Sequence, residues 1–337
     1  MYDYFVIDNF KHLKNYKIVF RKNNEKIWND VLENLEDAHF WYNNQELNYQ
    51  KLVRLGEGHE DHDLSFTTLL NDIPISIFAF SISKLKENYQ LNSYGRPVLA
   101  PLFIKNCSEE IQDKLTETCF KMCENITEKL KIKKWYSNVF FKEKNELCDW
   151  VKICENRNFY FHKTFEAYVD LYSVKNDEKI LQKKRVFKKV KENLWSHSLL
   201  YSLENKEWNK FKLLHLKMAG KKTRSDKTWE SQLNDINNKK GFVVFLYDKL
   251  NNLVGGNYYR YEKNSAVYAI GVNDRNLFPK PISHYSFYFG IKELSKKNVK
   301  WLLLGDIPRS EDFNHPSDKE ISIGVFKKKC VQTYLLN

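Results

Sequence analysis

Residues Leu214–Gln232 read LHLKMAGKKTRSDKTWESQ, and this stretch gives the strongest indication of the fold. Its first part continues a helix expected over Lys206–Ala219, and a second helix is expected over Trp229–Asn237. The polar segment GKKTRSDKTW joins these two helices and contains Arg224. An arginine in such a segment either holds a phosphate or carboxylate with two hydrogen bonds, or it is only a solvated loop charge.

Five further blocks follow this stretch in order. They are LVGGNYYRY (Leu253–Tyr261), AVYAIGVNDR (Ala266–Arg275), PISHYSFYFGIKEL (Pro281–Leu294), LLLGDI (Leu302–Ile307) and KEISIGVFKKK (Lys319–Lys329). The six blocks together resemble the Fem-like, GNAT-type acyltransferases encoded in bacterial surface-polysaccharide clusters, whose relatives are the Fem aminoacyltransferases of peptidoglycan bridges. The loop SYGRPVLAPLF, Ser93–Phe103, agrees with these proteins more loosely.

This resemblance implies an α/β (α+β) chain of two tandem GNAT-like domains, each with a mixed, mostly antiparallel sheet flanked by helices. It also implies transfer of an acyl or aminoacyl group to an amine. The order of helix and strand patterns in the two halves also suggests a duplicated α/β architecture. The polar segment SVKNDE favours a boundary near residues 172–178, which gives domains 1–175 and 176–337. The second domain is expected to be catalytic, and the first either binds the acceptor or only supports the second.

Periodicity predicts the remaining elements. The other predicted helices are Lys26–His39, Glu109–Leu130, Asn145–Glu155, Lys179–Leu194 and Ser283–Lys297. The predicted strands are Leu64–Leu70, Ile73–Ile82, Trp135–Phe141, Tyr160–Leu171, Ser198–Leu203, Gly241–Asp248, Leu253–Tyr261, Ser265–Val272, Trp301–Leu304 and Ile321–Lys328.

The composition is that of a globular, basic protein. Of the 337 residues, 42% are hydrophobic, which is enough for two cores. Lysine and arginine number 55 against 43 acidic residues, so the net charge is +12. Such an excess favours polyanionic partners, namely nucleic acid, nucleotide phosphates or an anionic membrane surface. The alternative is a lysine-rich composition without any such partner.

The six cysteines and the apolar runs bear on the compartment. The cysteines form no CxxC pairs, so reduced thiols are expected and no metal site is predicted. The N-terminus MYDYFVIDNFKHLKNYKIVF carries charges where a signal peptide needs an apolar core. No apolar run approaches the roughly 18 residues of a membrane span. The sequence therefore predicts a cytoplasmic protein without a transmembrane segment.

Three residues are candidates for catalysis, because transfer to an amine needs a base for the amine proton and a donor for the oxyanion. His284 lies at the start of a predicted helix, where a neutral imidazole either accepts this proton or only positions substrate. Asp306 follows LLLG at a strand end and either acts as base, binds the acceptor or forms a turn. Lys327 resembles the lysine of the Phe-Lys pair in Fem enzymes, which the resemblance places at the acyl donor; the alternative is a solvated edge.

Five residues are candidates for substrate binding: Arg224, Trp229, Gln232, Tyr268 and Asp274. Trp229 is either a stacking platform or a core residue. Tyr268 lies mid-strand, so its hydroxyl faces either the cleft or the core, and Asp274 closes the same strand. We expect the polar segments between residues 220 and 330 to converge on one cleft.

The helix Lys179–Leu194 combines an apolar stripe with a dense basic face. Lys184, Arg185 and Lys188 on that face are candidates for phosphate or nucleic-acid contact, and a merely solvated face is the alternative. The resemblance places this helix at a position where Fem proteins also have a basic helix.

The family resemblance leaves two kinds of acyl donor open. These are acyl-CoA, such as acetyl-CoA, and aminoacyl-tRNA. The strand-to-helix junction DRNLFPKPISHYS lacks the Gly-x-Gly turn with which GNAT enzymes usually cradle the CoA pyrophosphate, although Ser283 is able to cap the helix. The expected acceptor is the amine of a sugar-nucleotide or glycan precursor. The alternatives are an aminoacyl-tRNA-dependent peptidyltransferase and a non-catalytic RNA-binding module on the same fold.

Overall fold

A computed structural model of the chain describes residues 2–35, 38–138, 149–160, 164–177, 181, 185–188, 190, 194–262, 265–278, 280–312, 315–330 and 333–336. The chain divides into two compact units, Met1–His162 and Lys163–Leu336. This division comes before the expected boundary at residues 175 and 176, because the strand Phe165–Asp170 pairs with two strands of the second unit.

The first unit consists of helices packed on short antiparallel strands. The described helices are α1 (Asp3–Phe10), α2 (Glu25–Glu33), α3 (Asn44–Gly56), α4 (Glu109–Lys129) and α5 (Asp149–Asn156). The strands are β1 (Tyr16–Phe20), β2 (Glu60–Asp63), β3 (Phe66–Leu70), β4 (Ile73–Phe78), β5 (Ser81–Leu85), β6 (Asn88–Asn92), β7 (Val98–Leu99), β8 (Leu102–Phe103) and β9 (Ser137–Asn138). They form sheets with the orders β1-β3-β4-β8, β2-β5-β6 and β7-β9, and of these pairs β7 and β9 are parallel.

Helix α4 supplies much of the core of the first unit. Leu115, Cys119, Met122 and Ile126 recur at helical spacing along it and are all buried. Phe120 packs edge-to-face on Trp150, with ring centroids 5.1 Å apart. The described cysteines are all buried, namely Cys107, Cys119, Cys123, Cys154 and Cys330.

The second unit is built around one seven-stranded sheet. The helices are α6 (Leu171–Asn176), α7 (Arg185–Lys188), α8 (Asn205–Ala219), α9 (Asp226–Asn237), α10 (Ile282–Ser295) and α11 (Asp318–Cys330). The strands are β10 (Phe165–Asp170), β11 (Ser196–Leu200), β12 (Gly241–Tyr247), β13 (Leu253–Tyr261), β14 (Ser265–Asn273), β15 (Trp301–Asp306) and β16 (Thr333–Leu336). Their order is β11-β12-β13-β14-β15-β10-β16, and β14 and β15 are the parallel pair.

The two faces of this sheet are covered by different helices. Successive side chains of a strand point to opposite faces. Phe242 and Val244 of β12 accordingly pack in a core that includes residues of α10, whereas Val243 and Phe245 pack in a core with residues of α8 and α9. A functional group on α10 therefore lies on the opposite face from one on α8 or α9.

The strand predicted at Ile321–Lys328 is wrong, because this segment is part of helix α11. The alternation of Ile321, Ile323 and Val325 with small residues imitates a strand pattern. A capping box starts the helix instead: the Ser317 backbone N–H donates to the Glu320 carboxylate at 2.8 Å, and the Glu320 N–H donates to the Ser317 hydroxyl at 3.4 Å. The C-terminal edge strand of the sheet is β16, which pairs with β10.

The predicted basic helix is described only in part. The four residues of α7 are helical, whereas Lys184 lies outside the described residues, as does the side chain of Arg185. Lys188 is exposed. The nucleic-acid contact proposed for these three residues stays a prediction.

Candidate active site

The parallel strands β14 and β15 separate along their length and leave a gap in the sheet. They pair over three register positions, from Ser265 opposite Trp301 to Val267 opposite Leu303. Strand β14 continues to pair with β13 as far as Asn273, while β15 pairs on its other side with β10. Beyond Val267, the β15-facing backbone groups of β14 are therefore not used by the β14–β15 ladder.

A β-bulge in β14 lies beside this gap. Tyr268 is opposite Tyr259 and Ile270 is opposite Tyr258, so Ala269 is an extra residue that the ladder skips. The bulge turns Tyr268 towards the α10 side, where its ring lies 5.4 Å from that of Phe287. Burial, and then the neighbouring Cys330 thiol, raises the pKa of the Tyr268 phenol. The predicted candidate Tyr268 thus borders the gap as a neutral hydroxyl.

Gly271 keeps the backbone of β14 accessible in this gap. The residue is exposed although it lies within a central strand. A Cβ atom at this position would stand 1.6 Å from the Tyr268 hydroxyl oxygen and 3.0 Å from the Asn257 side-chain oxygen. A side chain at residue 271 therefore requires Tyr268 to move.

Helix α11 brings Lys327 to the end of β15. The Lys327 ammonium donates to the carbonyl oxygen of Asp306 at 2.8 Å and lies 3.3 Å from the position of a Cβ on Gly305. Gly305 has φ +82°, a conformation that glycine adopts without strain. Burial lowers the pKa of Lys327, and the carboxylates of Asp306 and Glu166 oppose this shift. The predicted candidates Asp306 and Lys327 are thus in direct contact.

Two residues of β10 that the sequence did not single out, Glu166 and its partner Tyr168, lie on the strand next to Asp306. Glu166 of β10 is fully buried and is in register with Asp306 of β15. Tyr168 donates a hydrogen bond of 2.6 Å to the Glu166 carboxylate. Burial, followed by this carboxylate, raises the pKa of Tyr168 far above its ordinary value. The signal in the sequence is a glutamate inside the otherwise apolar strand FEAYV.

His284 lies in the first turn of α10 and packs against α11. Its ring is 5.0 Å from the ring of Phe326, the residue before Lys327. Burial, and then the charge of Lys329, lowers the pKa of the imidazole below its ordinary 6.5, so it is neutral at pH 7. Among the described residues, its buried Nε2 has no hydrogen-bond partner. Ser283 does not use its ability to cap this helix: Pro281 occupies the N-cap, and the Ser283 hydroxyl accepts from Asn273 at 3.2 Å.

Residues of α11 contact two of the catalytic candidates, His284 and Asp306, and the third candidate, Lys327, belongs to α11 itself. Phe326 and Lys329 are the α11 neighbours of His284, and Lys327 is the neighbour of Asp306. Phe326 also lies 6.1 Å from Phe287, the ring that packs on Tyr268. The rings of Phe326 and Phe287 thus connect His284 on one side with Tyr268, beside the gap, on the other.

The substrate candidates around Arg224 lie on the other face of the sheet. Arg224 contacts Nε2 of His215 at 3.3 Å, and its guanidinium lies 5.8 Å from the ring of Trp229. Trp229 is 4% exposed and packs on Trp208, and Gln232 is fully buried. The expected convergence of all polar segments on one cleft is therefore wrong, because α8 and α9 cover the face opposite to α10.

Asp274 has a local structural role. Its carboxylate accepts a 3.0 Å hydrogen bond from the backbone N–H of Asn276 and caps the short 3-10 turn Arg275–Leu277. Its contact with substrate stays a prediction, as do those of Arg224, Trp229, Gln232 and Tyr268. In the described part of the chain, no group of three or more His, Cys, Asp and Glu side chains is placed to hold a metal ion. Among the same residues, no helix combines the length and the apolarity that crossing a bilayer requires.

The structure resembles several solved proteins at low sequence identity. It matches FemX with a TM-score of 0.63 and 9% identity, over 96% of this chain and 94% of that chain. It matches the C-terminal domain of a putative lysylphosphatidylglycerol synthetase from Agrobacterium fabrum with a TM-score of 0.51 and 10% identity, over 93% and 90% of the two chains. Comparisons with protein-family models and with curated proteins find no match. The chain has the GNAT/Fem-like fold that its sequence blocks predicted.

Proposed function

We propose that this protein is an acyltransferase that joins an acyl or aminoacyl group to an amine at the gap between β14 and β15. One observation carries the proposal: His284 packs on Phe326 of α11, and the next residue, Lys327, places a half-buried ammonium at the end of β15. The imidazole is neutral, and its Nε2 has no hydrogen-bond partner among the described residues. These are the base and the oxyanion donor that the reaction needs. The resemblance of the fold to FemX is consistent with this chemistry at the level of fold.

The proposed reaction assigns one step to each group. The acceptor nitrogen attacks the donor carbonyl carbon, a C–N bond forms, and the carbonyl electron pair moves to oxygen. Lys327 donates a hydrogen bond to this oxyanion, and His284 takes the proton that the nitrogen loses. When the intermediate collapses, the bond breaks between the carbonyl carbon and the leaving atom, which is the sulfur of CoA or the ribose oxygen of tRNA. The imidazolium returns its proton to that leaving atom. Glu166 and Asp306 keep the ammonium charged in a partly buried position by opposing the effect of burial on its pKa.

The start of α10 favours aminoacyl-tRNA over acyl-CoA as donor. In GNAT-type binding of CoA, free backbone amides at a helix start would cradle the pyrophosphate. Here the amide of Ile282 donates to the Lys280 carbonyl at 2.9 Å, and the amides of His284 and Tyr285 both donate to the Pro281 carbonyl at 3.1 Å. The turn thus uses two of the amides that a pyrophosphate would need, those of Ile282 and His284, whereas the Tyr285 bond is the first ordinary bond of the helix. Acyl-CoA remains the second candidate donor.

The proposed acceptor is an amino group on a sugar-nucleotide or glycan precursor of the cell surface. We assign catalysis to the second unit, because all the groups named above belong to it. The first unit either binds the acceptor or supports the second.

The test is a transfer assay on the full chain with two donors, aminoacyl-tRNA and acetyl-CoA, and an amino-sugar nucleotide as acceptor. Mass spectrometry of the acceptor reports the added group. We expect the product with aminoacyl-tRNA and its loss in the double variant His284→Ala/Lys327→Ala. Equal product with the double variant would place the chemistry elsewhere, and product with acetyl-CoA alone would reverse the donor assignment.

A further inference from the structure

The outer face of α8 is a stripe of lysines interrupted by leucine. The helix buries Trp208 and Phe211 against the sheet. On the opposite side, Lys206, Lys210, Leu213 and Lys217 follow one another at positions i, i+4, i+7 and i+11, and all four are exposed. Leu213 is 63% exposed and the adjacent Leu216 is 44% exposed. Two large aliphatic side chains therefore face solvent within a cationic surface.

A cavity of about 220 Å³ adjoins these leucines, between α8 and the segment that leads to α9. Leu213, Leu216 and Trp229 form its apolar wall. The charged residues that line it are three lysines and one aspartate: Lys212, Lys221, Lys222 and Asp226. The Asp226 carboxylate accepts hydrogen bonds from Lys212 at 2.5 Å and from Lys222 at 2.9 Å. The lining thus keeps an excess of positive charge over an apolar floor.

This combination fits the headgroup region of an anionic membrane. Lysines near such a surface are attracted to lipid phosphates, each by about 1 kcal/mol. Moving leucine side chains from water to the boundary with the acyl chains is also favourable. The lysine stems are able to lie along the leucines while their ammonium groups reach the phosphates. A nucleic-acid strand would use the lysines too, but it prefers aromatic side chains on which bases stack, and the two leucines offer it nothing.

We propose that the outer face of α8 docks on an anionic phospholipid surface, with Leu213 and Leu216 in the headgroup region and one lipid phosphate in the adjoining cavity. Lys206, Lys210 and Lys217 contact further phosphates along the helix. Glu204, the N-cap of α8, and Glu207, in its first turn, lie at the start of the helix, away from the leucines. Asp226 lies in the cavity itself, where Lys212 and Lys222 both donate to its carboxylate. This surface interaction goes beyond the acyl transfer proposed above and does not depend on it.

The test is co-sedimentation of the full chain with phosphatidylcholine vesicles that contain or lack phosphatidylglycerol, without donor or acceptor. We expect binding only when phosphatidylglycerol is present. The double variant Lys210→Gln/Lys217→Gln should lower the partition coefficient about 30-fold, from about 1 kcal/mol for each lysine. Lys240→Gln/Lys249→Gln removes two exposed lysines elsewhere in the second unit and should leave binding unchanged.

The leucines distinguish a membrane from other polyanions. Leu213→Ser/Leu216→Ser should weaken vesicle binding about tenfold, because the variant removes less apolar surface from water when it binds. Absence of binding to phosphatidylglycerol vesicles overturns the proposal. The proposal is also overturned if the protein binds tRNA more tightly than these vesicles, and if the lysine variant weakens tRNA binding while the leucine variant does not. Since all four residues are exposed, unchanged thermal unfolding of the variants shows that each remains folded.

Discussion

At the scale of single residues, His284 determines the low-pH side of the proposed reaction. Burial and Lys329 lower its pKa, so the imidazole accepts a proton only above this depressed value. As pH falls through it, His284 becomes protonated, the base is lost and kcat/KM falls. We expect His284→Ala to lower kcat about 10²- to 10⁴-fold and to abolish this acid limb. The exposed His12→Ala serves as the control.

The neighbouring cation provides a finer test of the same assignment. Lys329→Gln removes a positive charge near the imidazole, so the pKa of His284 should rise and the acid limb should move to higher pH. A pH–rate profile for wild type and Lys329→Gln measures this shift. An acid limb at the same pH in both proteins would show that another group titrates.

Lys327 determines the high-pH side. Only the protonated form of its side chain stabilises the negative charge of the oxyanion. Burial lowers the pKa of Lys327 below that of an ordinary lysine. As pH rises through this value the charge is lost, and kcat should fall. We expect Lys327→Ala to lower kcat about 10²- to 10³-fold with little change in KM. The exposed neighbour Lys328→Ala is the matched control, and equal losses in both variants would contradict the assignment.

The sequence predicted part of this residue set and missed another part for a physical reason. Asp306 and Lys327 follow recognisable sequence blocks, and the structure places them in contact. Glu166 stands out in the sequence as a glutamate in an apolar strand, but its place near Lys327 depends on the register of β10 against β15, which the sequence does not reveal. Arg224 also belongs to a recognisable block. The periodicity of a helix does not reveal which face of the sheet the helix covers, so the sequence did not separate Arg224 from His284.

At the scale of elements, α11 shows how one local feature decides between helix and strand. Ile321, Ile323 and Val325 alternate as in a strand, yet the Ser317–Glu320 capping box and the lysines of the last turn both favour a helix. We expect Ser317→Ala to cost about 1 kcal/mol of helix stability and Ser317→Asp to restore most of it. Because α11 carries Lys327, transfer activity should fall with helix stability.

Hydrogen exchange within residues 318–330 measures this effect. The exposed Ser310→Ala, which lies before the capping box, is the control. Unchanged protection of α11 in Ser317→Ala would mean that packing on β10 and β15, rather than the cap, maintains the helix.

At the scale of the whole molecule, the two-domain α/β architecture was predictable, because alternating patterns of period 2 and 3.6 recur in both halves. The position of the division was less predictable. Residues 165–170 form a strand in either domain by their own pattern, and only their pairing with β15 and β16 assigns them to the second unit.

Each unit has its own buried aromatic cluster, so core damage should remain within one unit. Phe120 is fully buried among Trp135, Trp150 and Phe159, with ring centroids 5.1–5.5 Å away. Phe120→Ala should cost about 3–5 kcal/mol. Hydrogen exchange should then show lost protection in α4 and α5 of the first unit, while α8 and α9 of the second keep theirs.

The matched variant in the second unit is Phe211→Ala. Phe211 is also fully buried, with Trp208 and Phe245 both 5.3 Å from its ring. This variant should expose α8 and α9 and spare α4 and α5, because a cavity removes contacts only from the core that contains it. If both variants lowered protection equally in both units, the chain would unfold as one cooperative block, and the assignment of independent cores to the two units would be wrong.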